Sequence, residues 1–254
     1  MGRAMSSEAH TPSAGHGHSV PIGRVFGISL RLHWTFFLLI PFVAVVDWRS
    51  GARSVLLGLL WVGALFSFVT AHEVAHCVVA QRRGAEVLGI VLFPLGGLSQ
   101  LEEMPKAPED ELAVAIAGPM FSLVMGVLLI AVGLLLGSRV WPPTLFVGSW
   151  WARLGWLNLL LGAFNMLPAL PMDGGRVLRA GLARHRSNLE ATEIAGRIAR
   201  YLGVAMIAVG FLYDFWLCLI GLFVLLGASA EVQAVRHPTS PDGHIANQDG
   251  ALSR

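Results

Sequence analysis

Long apolar segments separated by short polar stretches dominate the chain. Four of these segments are each long enough, as helices, to cross a bilayer whose hydrocarbon core is about 30 Å thick. They lie near residues 30–47, 54–81, 111–136 and 150–167. A further apolar segment, 201–229, is interrupted by Tyr213-Asp214 and predicts two short crossings joined by a tight turn. The pattern therefore predicts an all-α polytopic membrane protein with about six transmembrane helices.

Three stretches do not follow this pattern. Between the second and third apolar segments, residues 87–103 alternate poorly for a helix and contain Pro94, Gly96 and Gly97, which predicts a short hairpin or re-entrant loop. Both ends of the chain are polar. We expect a disordered N-terminal tail at 1–24, a membrane core at 25–230 and a flexible C-terminal tail at 231–254.

Composition and charge narrow the class further. Hydrophobic residues make up 55% of the chain and charged residues 13%, which is typical of a polytopic membrane protein. A net charge of +2 is too small to indicate a nucleic-acid partner. Most Lys and Arg residues outside the apolar segments fall on the side that holds both tails, so the positive-inside rule predicts a multi-pass protein of the cell membrane with both termini in the cytoplasm.

Residues 70–77, THEVAHCV, place polar groups inside the second apolar segment. In a helix of 3.6 residues per turn, His72 and His76 point from the same face and can share one metal ion. Glu73 lies beside that face and supplies a carboxylate that can take a proton from water. A strongly polar residue at the centre of a bilayer costs about 3 kcal/mol or more. Three such residues within two turns favour a metal site over packing.

A third ligand for the metal is available in FNMLPALPMDGG, residues 164–175. Pro168 and Pro171 break the fourth apolar helix, and the Asp173-Gly174-Gly175 sequence can turn sharply. Irregular backbone at membrane depth is tolerated where it lines a cavity or is buried in protein, which favours Asp173 as the third ligand. The alternative is that Asp173 only caps the helix that follows it.

HEVAH in one apolar segment and FNMLPALPMDGG at the end of another resemble the paired motifs of the site-2 protease family, the M50-type intramembrane zinc metalloproteases. The match covers about residues 20–230. The resemblance implies that His72, His76 and Asp173 bind one Zn²⁺ and that Glu73 activates the attacking water. The family's usual Leu-Asp-Gly is Met-Asp-Gly here, which leaves the ligand unchanged. AGPM at 117–120 is similar to a third-span motif of the family, but the Asn that often follows is Ser122, whose role stays open.

The resemblance also implies a substrate and a way to hold it. Asn165 matches the position thought to hold the substrate backbone, and a hairpin comparable to 87–103 lies beside the active site, where Gly96 and Gly97 can offer a strand edge. A surface hairpin without substrate contact is the alternative. The expected partners are the lipid bilayer and a single-span membrane protein, for example an anti-sigma factor. We expect a compact form without the PDZ or CBS module that the family often carries.

Two other functions compete with this hypothesis. The first is a zincin-like membrane protease whose third ligand is a later glutamate, but Glu190 and Glu193 lie in a polar, arginine-flanked segment that suits a ligand poorly. The second is a metal-binding membrane protein, or an inactive homologue, that does not cut. Glu73 favours the enzyme, since metal storage needs no general base.

Overall fold

The computed structural model describes residues 19–236 except 95, 102–106 and 146. The regular elements of the described part of the chain are seven α-helices, two short 3-10 helices and one four-stranded sheet. The helices are α1 (Leu39–Asp47), α2 (Ala52–Arg82), α3 (Pro108–Leu135), α4 (Trp150–Asn165), α5 (Asp173–Ala183), α6 (Asn188–Tyr213) and α7 (Phe215–Arg236). The strands are β1 (Ser19–Val25), β2 (Ile28–His33), β3 (Val87–Phe93) and β4 (Gly96–Leu101).

The sheet corrects the prediction of an all-α fold. Its strand order is β1-β2-β3-β4, with β2 and β3 parallel and the two outer pairs antiparallel. β1 includes residues 19–24, which the sequence placed in a disordered tail, because pairing with β2 satisfies backbone groups that local composition leaves unpaired. The predicted hairpin between the second and third apolar segments is present as β3–β4. Its depth in the membrane stays a prediction.

The sheet is held against the end of α2 by an apolar cluster. Ile28 and Leu30 of β2 and Ile90 and Leu92 of β3 pack with Val74 and Cys77 of α2. These side chains are each buried to at least nine-tenths, so they fix the sheet beside the HEVAH turn. As a result β4, the outer strand next to β3, lies along the same stretch of α2.

Among the described residues, four helices are long and apolar enough to cross a bilayer: α2, α3, α6 and α7. This identifies a multi-pass membrane protein. The predicted first crossing, 30–47, is divided between β2, a short 3-10 helix and α1, whose nine residues span only about 14 Å at 1.5 Å per residue. α4 has sixteen residues, about 24 Å. The count of six crossings stays a prediction.

The last apolar segment divides where the sequence indicated. α6 ends at Tyr213, Asp214 is extended, and Asp214 Oδ1 accepts a hydrogen bond from the amide of Trp216 at the start of α7. α7 continues to Arg236, six residues into the predicted C-terminal tail. Gly203 of α6 and Gly221 of α7 lie so close that a side chain at either would meet the other's carbonyl oxygen, so small residues permit the two helices to pack tightly.

α3 is the central helix of the fold, because it packs against α2, α4 and α5. Three residues that lead into α5 are buried with small and apolar side chains of α6 and α7. They are Ala169, Leu170 and Met172, packed with Ala195, Ala199, Val224 and Ala228. The start of α5 is therefore held between the α6–α7 pair and α3, at the level of the HEVAH turn.

Candidate active site

Three predicted ligands meet between α2 and α5. Nε2 of His72 and Nε2 of His76 each lie 3.2 Å from Oδ2 of Asp173, and the two nitrogens lie 3.2 Å from each other. The three residues are buried, with 3%, 5% and 8% of their surfaces exposed. They form a group that can hold a metal ion, one ligand atom from each side chain.

The donor set fits zinc. Two imidazoles and a carboxylate are ligands that Zn²⁺ takes in catalytic sites, and zinc bonds of about 2.0–2.1 Å in a tetrahedral arrangement separate the ligand atoms by about 3.3 Å. The observed separation of 3.2 Å agrees with this. A carboxylate binds a metal ion in its ionised form, so Asp173 would add one negative charge to the two neutral imidazoles.

Each imidazole is oriented through its other ring nitrogen by α3. Nδ1 of His76 donates to the carbonyl oxygen of Val114 at 2.7 Å, and Nδ1 of His72 lies 3.0 Å from Oγ of Ser122. The carbonyl can only accept, so the proton of a neutral His76 sits on Nδ1 and leaves the Nε2 lone pair facing His72 and Asp173. Ser122, whose role the sequence left open, thus holds His72.

Gly118 of α3 lies directly against the ligand nitrogens. A methyl group there would stand 2.7 Å from Nε2 of His72 and still closer to Nε2 of His76. The missing side chain leaves the space that an ion shared by the two nitrogens needs. Val114, Gly118 and Ser122 recur every four residues, so one face of α3 makes all three contacts.

Asp173 is placed by the loop before α5. The N-cap residue of α5 is Met172, not Asp173, and it makes no side-chain capping hydrogen bond. The Asp173 carboxylate instead contacts the two histidines. Gly174 and Gly175 pack against the backbone of residues 166–170, where any side chain would collide. These two glycines therefore allow the first turn of α5 to press against the loop that precedes it.

A cavity of about 560 Å³ opens beside the three ligands. Its lining includes the other residues predicted for function: Glu73, Gly96, Gly97 and Asn165. The side chain of Glu73 is closely bounded by β4, because a Cβ at Gly97 would lie 2.6 Å from Cγ of Glu73. Asn165 Nδ2 donates to the carbonyl of Leu161 at 3.0 Å, which leaves its carbonyl oxygen for other partners. All seven predicted site residues thus surround one space.

The sequence missed the residues of α3 that support the site. The carbonyl of Val114 has no sequence signature, since every residue carries one. Gly118 and Ser122 lie in and just after the AGPM segment, which was the only available signal. Arg179, buried in α5 beyond Asp173, has no sequence signature that separates it from other arginines, because its carboxylate partners are distant in sequence.

Comparisons with known proteins agree with this geometry. A family model described as "Peptidase family M50" matches residues 60–145 and 143–210. Zinc metalloprotease MJ0392 of Methanocaldococcus jannaschii is 35% identical over 224 residues, which cover 87% of this chain and 63% of that protein. Putative zinc metalloprotease Rip3 of Mycobacterium tuberculosis is 32% identical over 239 residues, 84% of this chain and 58% of that protein.

A solved structure is also similar. The site-2 protease from Methanocaldococcus jannaschii matches with a TM-score of 0.63 and 34% identity, covering 85% of this chain and 95% of that one. The chain spans less than two thirds of the length of the two curated relatives. The resemblance inferred from HEVAH and FNMLPALPMDGG is confirmed: the chain belongs to peptidase family M50.

Proposed function

We propose that the protein is an intramembrane zinc metalloprotease that hydrolyses a peptide bond within or beside a transmembrane segment of another membrane protein. One observation carries the proposal: His72, His76 and Asp173 bring three ligand atoms within 3.2 Å of one another beside the carboxylate of Glu73, in a cavity among apolar helices. The similar proteins, which are zinc metalloproteases and a site-2 protease by name, support the same class of reaction.

His72, His76 and Asp173 would hold one Zn²⁺ per chain. When bound, zinc acts as a Lewis acid that makes water nucleophilic near neutral pH and stabilises negative charge on the attacked carbonyl. Other residues of the chain orient the ligands. The Val114 carbonyl and the Ser122 hydroxyl contact the two Nδ1 atoms and keep both Nε2 atoms turned inward, so the ligands need little reorganisation when the ion binds.

Glu73 is the general base. It follows His72 directly and lines the same cavity, where its carboxylate can accept a proton from the attacking water and return it to the leaving amine. Gly97 allows β4 to pack against the stem of Glu73 and so limits where the carboxylate can move. The burial of the neighbouring ligands excludes bulk water, which strengthens electrostatic interactions in the site.

The substrate binds as an extended segment between β4 and α4. Among the described residues, β4 is the outer strand of the sheet next to β3, so its outer edge can add one more strand. Gly96 and Gly97 of β4 line the cavity. A helical peptide bond is shielded by its own hydrogen bonds and must unwind before hydrolysis. The Asn165 amide, across the cavity, can replace one of the lost bonds. The substrate class is a single-span membrane protein, for example an anti-sigma factor.

Replacing Asn165 by Ala should lower kcat/KM about fivefold, the equivalent of one hydrogen bond of about 1 kcal/mol, while zinc content stays unchanged. Asn188→Ala, at the exposed start of α6, is the matched control and should cleave at the wild-type rate. The measurement is cleavage of a single-span substrate in lipid vesicles at several substrate densities. An Asn165→Ala protein that cleaves normally would remove this residue from the substrate site.

The proposed reaction is tested on the purified protein in vesicles with a single-span substrate. A strong chelator should abolish cleavage, and Zn²⁺ should restore it, whereas Mg²⁺, which requires octahedral oxygen coordination, should not. Cleaved fragments are followed by mass spectrometry to locate the bond. A protein that holds one zinc ion and cuts no membrane substrate would instead be a metal-binding membrane protein.

We further propose that the chain crosses the membrane six times with both termini in the cytoplasm, because arginines concentrate on one side of the predicted crossings. Ser138→Cys, between α3 and α4, should react in intact cells with a reagent that cannot cross membranes. His185→Cys, between α5 and α6, should react only after the cells are opened. The native Cys77 and Cys218 are replaced by alanine in both proteins. The reverse labelling pattern would place the active site on the other side.

A further inference from the structure

Beyond the metal ligands, the described part of the chain holds a second cluster of buried charge. Arg179 of α5 is 9% exposed. Its guanidinium donates to Oε1 of Glu111 through Nε at 2.8 Å and through a second nitrogen, and to Oε2 of Glu231 at 3.0 Å through the third. Glu111 is also 9% exposed, whereas Glu231 borders the active-site cavity. One arginine thereby joins α3, α5 and α7.

Such a cluster is a costly way to stabilise a fold. Removing charges from water is penalised heavily, and replacing a buried ion network by apolar side chains is often neutral or stabilising. What the network supplies is geometry: a guanidinium is a rigid fork whose donors fix the distance and orientation of the carboxylates that it binds. The positions of its two carboxylate partners indicate which helices the Arg179 guanidinium orients.

On α3, the Arg179 guanidinium binds the same helix face that contacts the two histidines. Glu111 is one turn before Val114, whose carbonyl orients His76, and the same face continues to Gly118 and Ser122. On α5, Arg179 belongs to the same eleven-residue helix that begins with Asp173. The Arg179–Glu111 contact therefore ties the helix that carries the third ligand to the helix that orients the first two.

We propose that Arg179 is a positioning residue for the metal site: its contact with Glu111 sets how far Asp173 stands from His72 and His76. The proposal rests on the proposed zinc site and names a residue that supports it without touching the metal. The second contact of Arg179, with Glu231, holds α7 next to α5, where α7 forms one wall of the cavity. Without the Arg179–Glu111 contact, α5 still packs against α6, but its position relative to α3 is no longer fixed.

The test uses full-length protein loaded with Co²⁺, whose visible absorption reports the geometry of the site, together with affinity for Zn²⁺ and Co²⁺ measured against a chromophoric chelator. Arg179→Met should weaken metal binding by about 10-fold, the low end of the loss caused by removing a partner that hydrogen-bonds a ligand, and change the cobalt spectrum. Arg179→Lys, which keeps the charge but not the fork, should fall between Arg179→Met and wild type.

Arg236→Met is the matched control. Arg236 donates two hydrogen bonds to Oε1 of Glu193, so this variant also breaks an arginine–glutamate pair between helices, but one that is more exposed and joins α6 to α7. Metal affinity and the cobalt spectrum should equal those of wild type. An equal loss in Arg236→Met and Arg179→Met would mean that any lost ion pair loosens the site, and would overturn the proposal.

A double variant separates positioning from stability. Arg179→Met with Glu111→Leu removes the uncompensated buried carboxylate, so its unfolding temperature should recover toward wild type, whereas its metal affinity should stay low. Recovery of both quantities would assign the network to stability alone. Wild-type protein that binds neither ion would refute the zinc site itself, whereas wild-type binding with unchanged Arg179→Met affinity would refute only the role of Arg179.

Discussion

Glu73→Gln is expected to lower the rate of substrate cleavage by about 10² to 10⁴, the usual contribution of a general base, and to leave zinc content at the wild-type level. Glutamine keeps the size and hydrogen-bonding capacity of the side chain but cannot take the proton from water. The metal-ligand group consists of His72, His76 and Asp173, so the change leaves all three ligand atoms in place. The measurement pairs metal analysis with cleavage of a single-span substrate.

The matched control for this variant is Glu86→Gln, which makes the same chemical change at an exposed position between α2 and β3. It should cleave at the wild-type rate. Because Glu73→Gln keeps the cavity and the metal site, uncut substrate should accumulate and remain bound. Cleavage by Glu73→Gln at the wild-type rate would exclude Glu73 as the base, and loss of zinc from this variant would mean that Glu73 helps to bind the ion.

The features that the sequence predicted correctly depend on local periodicity. His72 and His76 are four residues apart on one helix, so their shared face follows from 3.6 residues per turn and needs no tertiary information. The break at Asp214 and the end of α4 before Pro168 were visible for the same reason, because proline and an isolated acidic residue interrupt an apolar pattern. The position of Asp173 beside the two histidines was predicted from irregular backbone at membrane depth, which is tolerated where it lines a cavity or is buried in protein. Its role as a metal ligand stays a prediction.

The features that the sequence missed depend on contacts between distant segments. β2 pairs in parallel with β3, more than fifty residues later, and its six residues, ISLRLH, also fit the start of an apolar helix. Residues 28–33 form a strand because they pair with β3 and pack in the apolar cluster with α2. The partners of Arg179 are likewise 68 and 52 residues away, so the sequence alone does not distinguish this buried arginine from arginines on the surface.

The contacts of α3 with both histidines explain why the metal site requires a glycine at position 118. His72 and His76 are stiff imidazoles on a rigid helix, and each is tied through Nδ1 to α3, at Ser122 and at Val114. α3 cannot move away from α2 without breaking both hydrogen bonds, and it cannot stay if a side chain appears at Gly118. Any substitution there must therefore sacrifice either the ligand geometry or the contacts that maintain it.

Gly118→Ala is accordingly expected to weaken zinc binding by more than about 100-fold, beyond the usual effect of losing one outer-shell partner, and to abolish cleavage. The added methyl group would stand 2.7 Å from Nε2 of His72 and closer still to Nε2 of His76, in the space between the lone pairs that bind the ion. Metal analysis after purification, with a titration against a chromophoric chelator, measures the change directly.

Gly63→Ala is the control for this last substitution, since it adds the same methyl group to a membrane helix at a position with nothing within 4 Å. It should retain zinc and activity, because alanine favours helix over glycine by about 1 kcal/mol and meets no neighbour here. A folded Gly118→Ala protein with full zinc occupancy would show that α2 and α3 can separate without loss of the site. The ligand nitrogens would then be set by α2 and Asp173 alone, and the support that the structure assigns to α3 would be refuted.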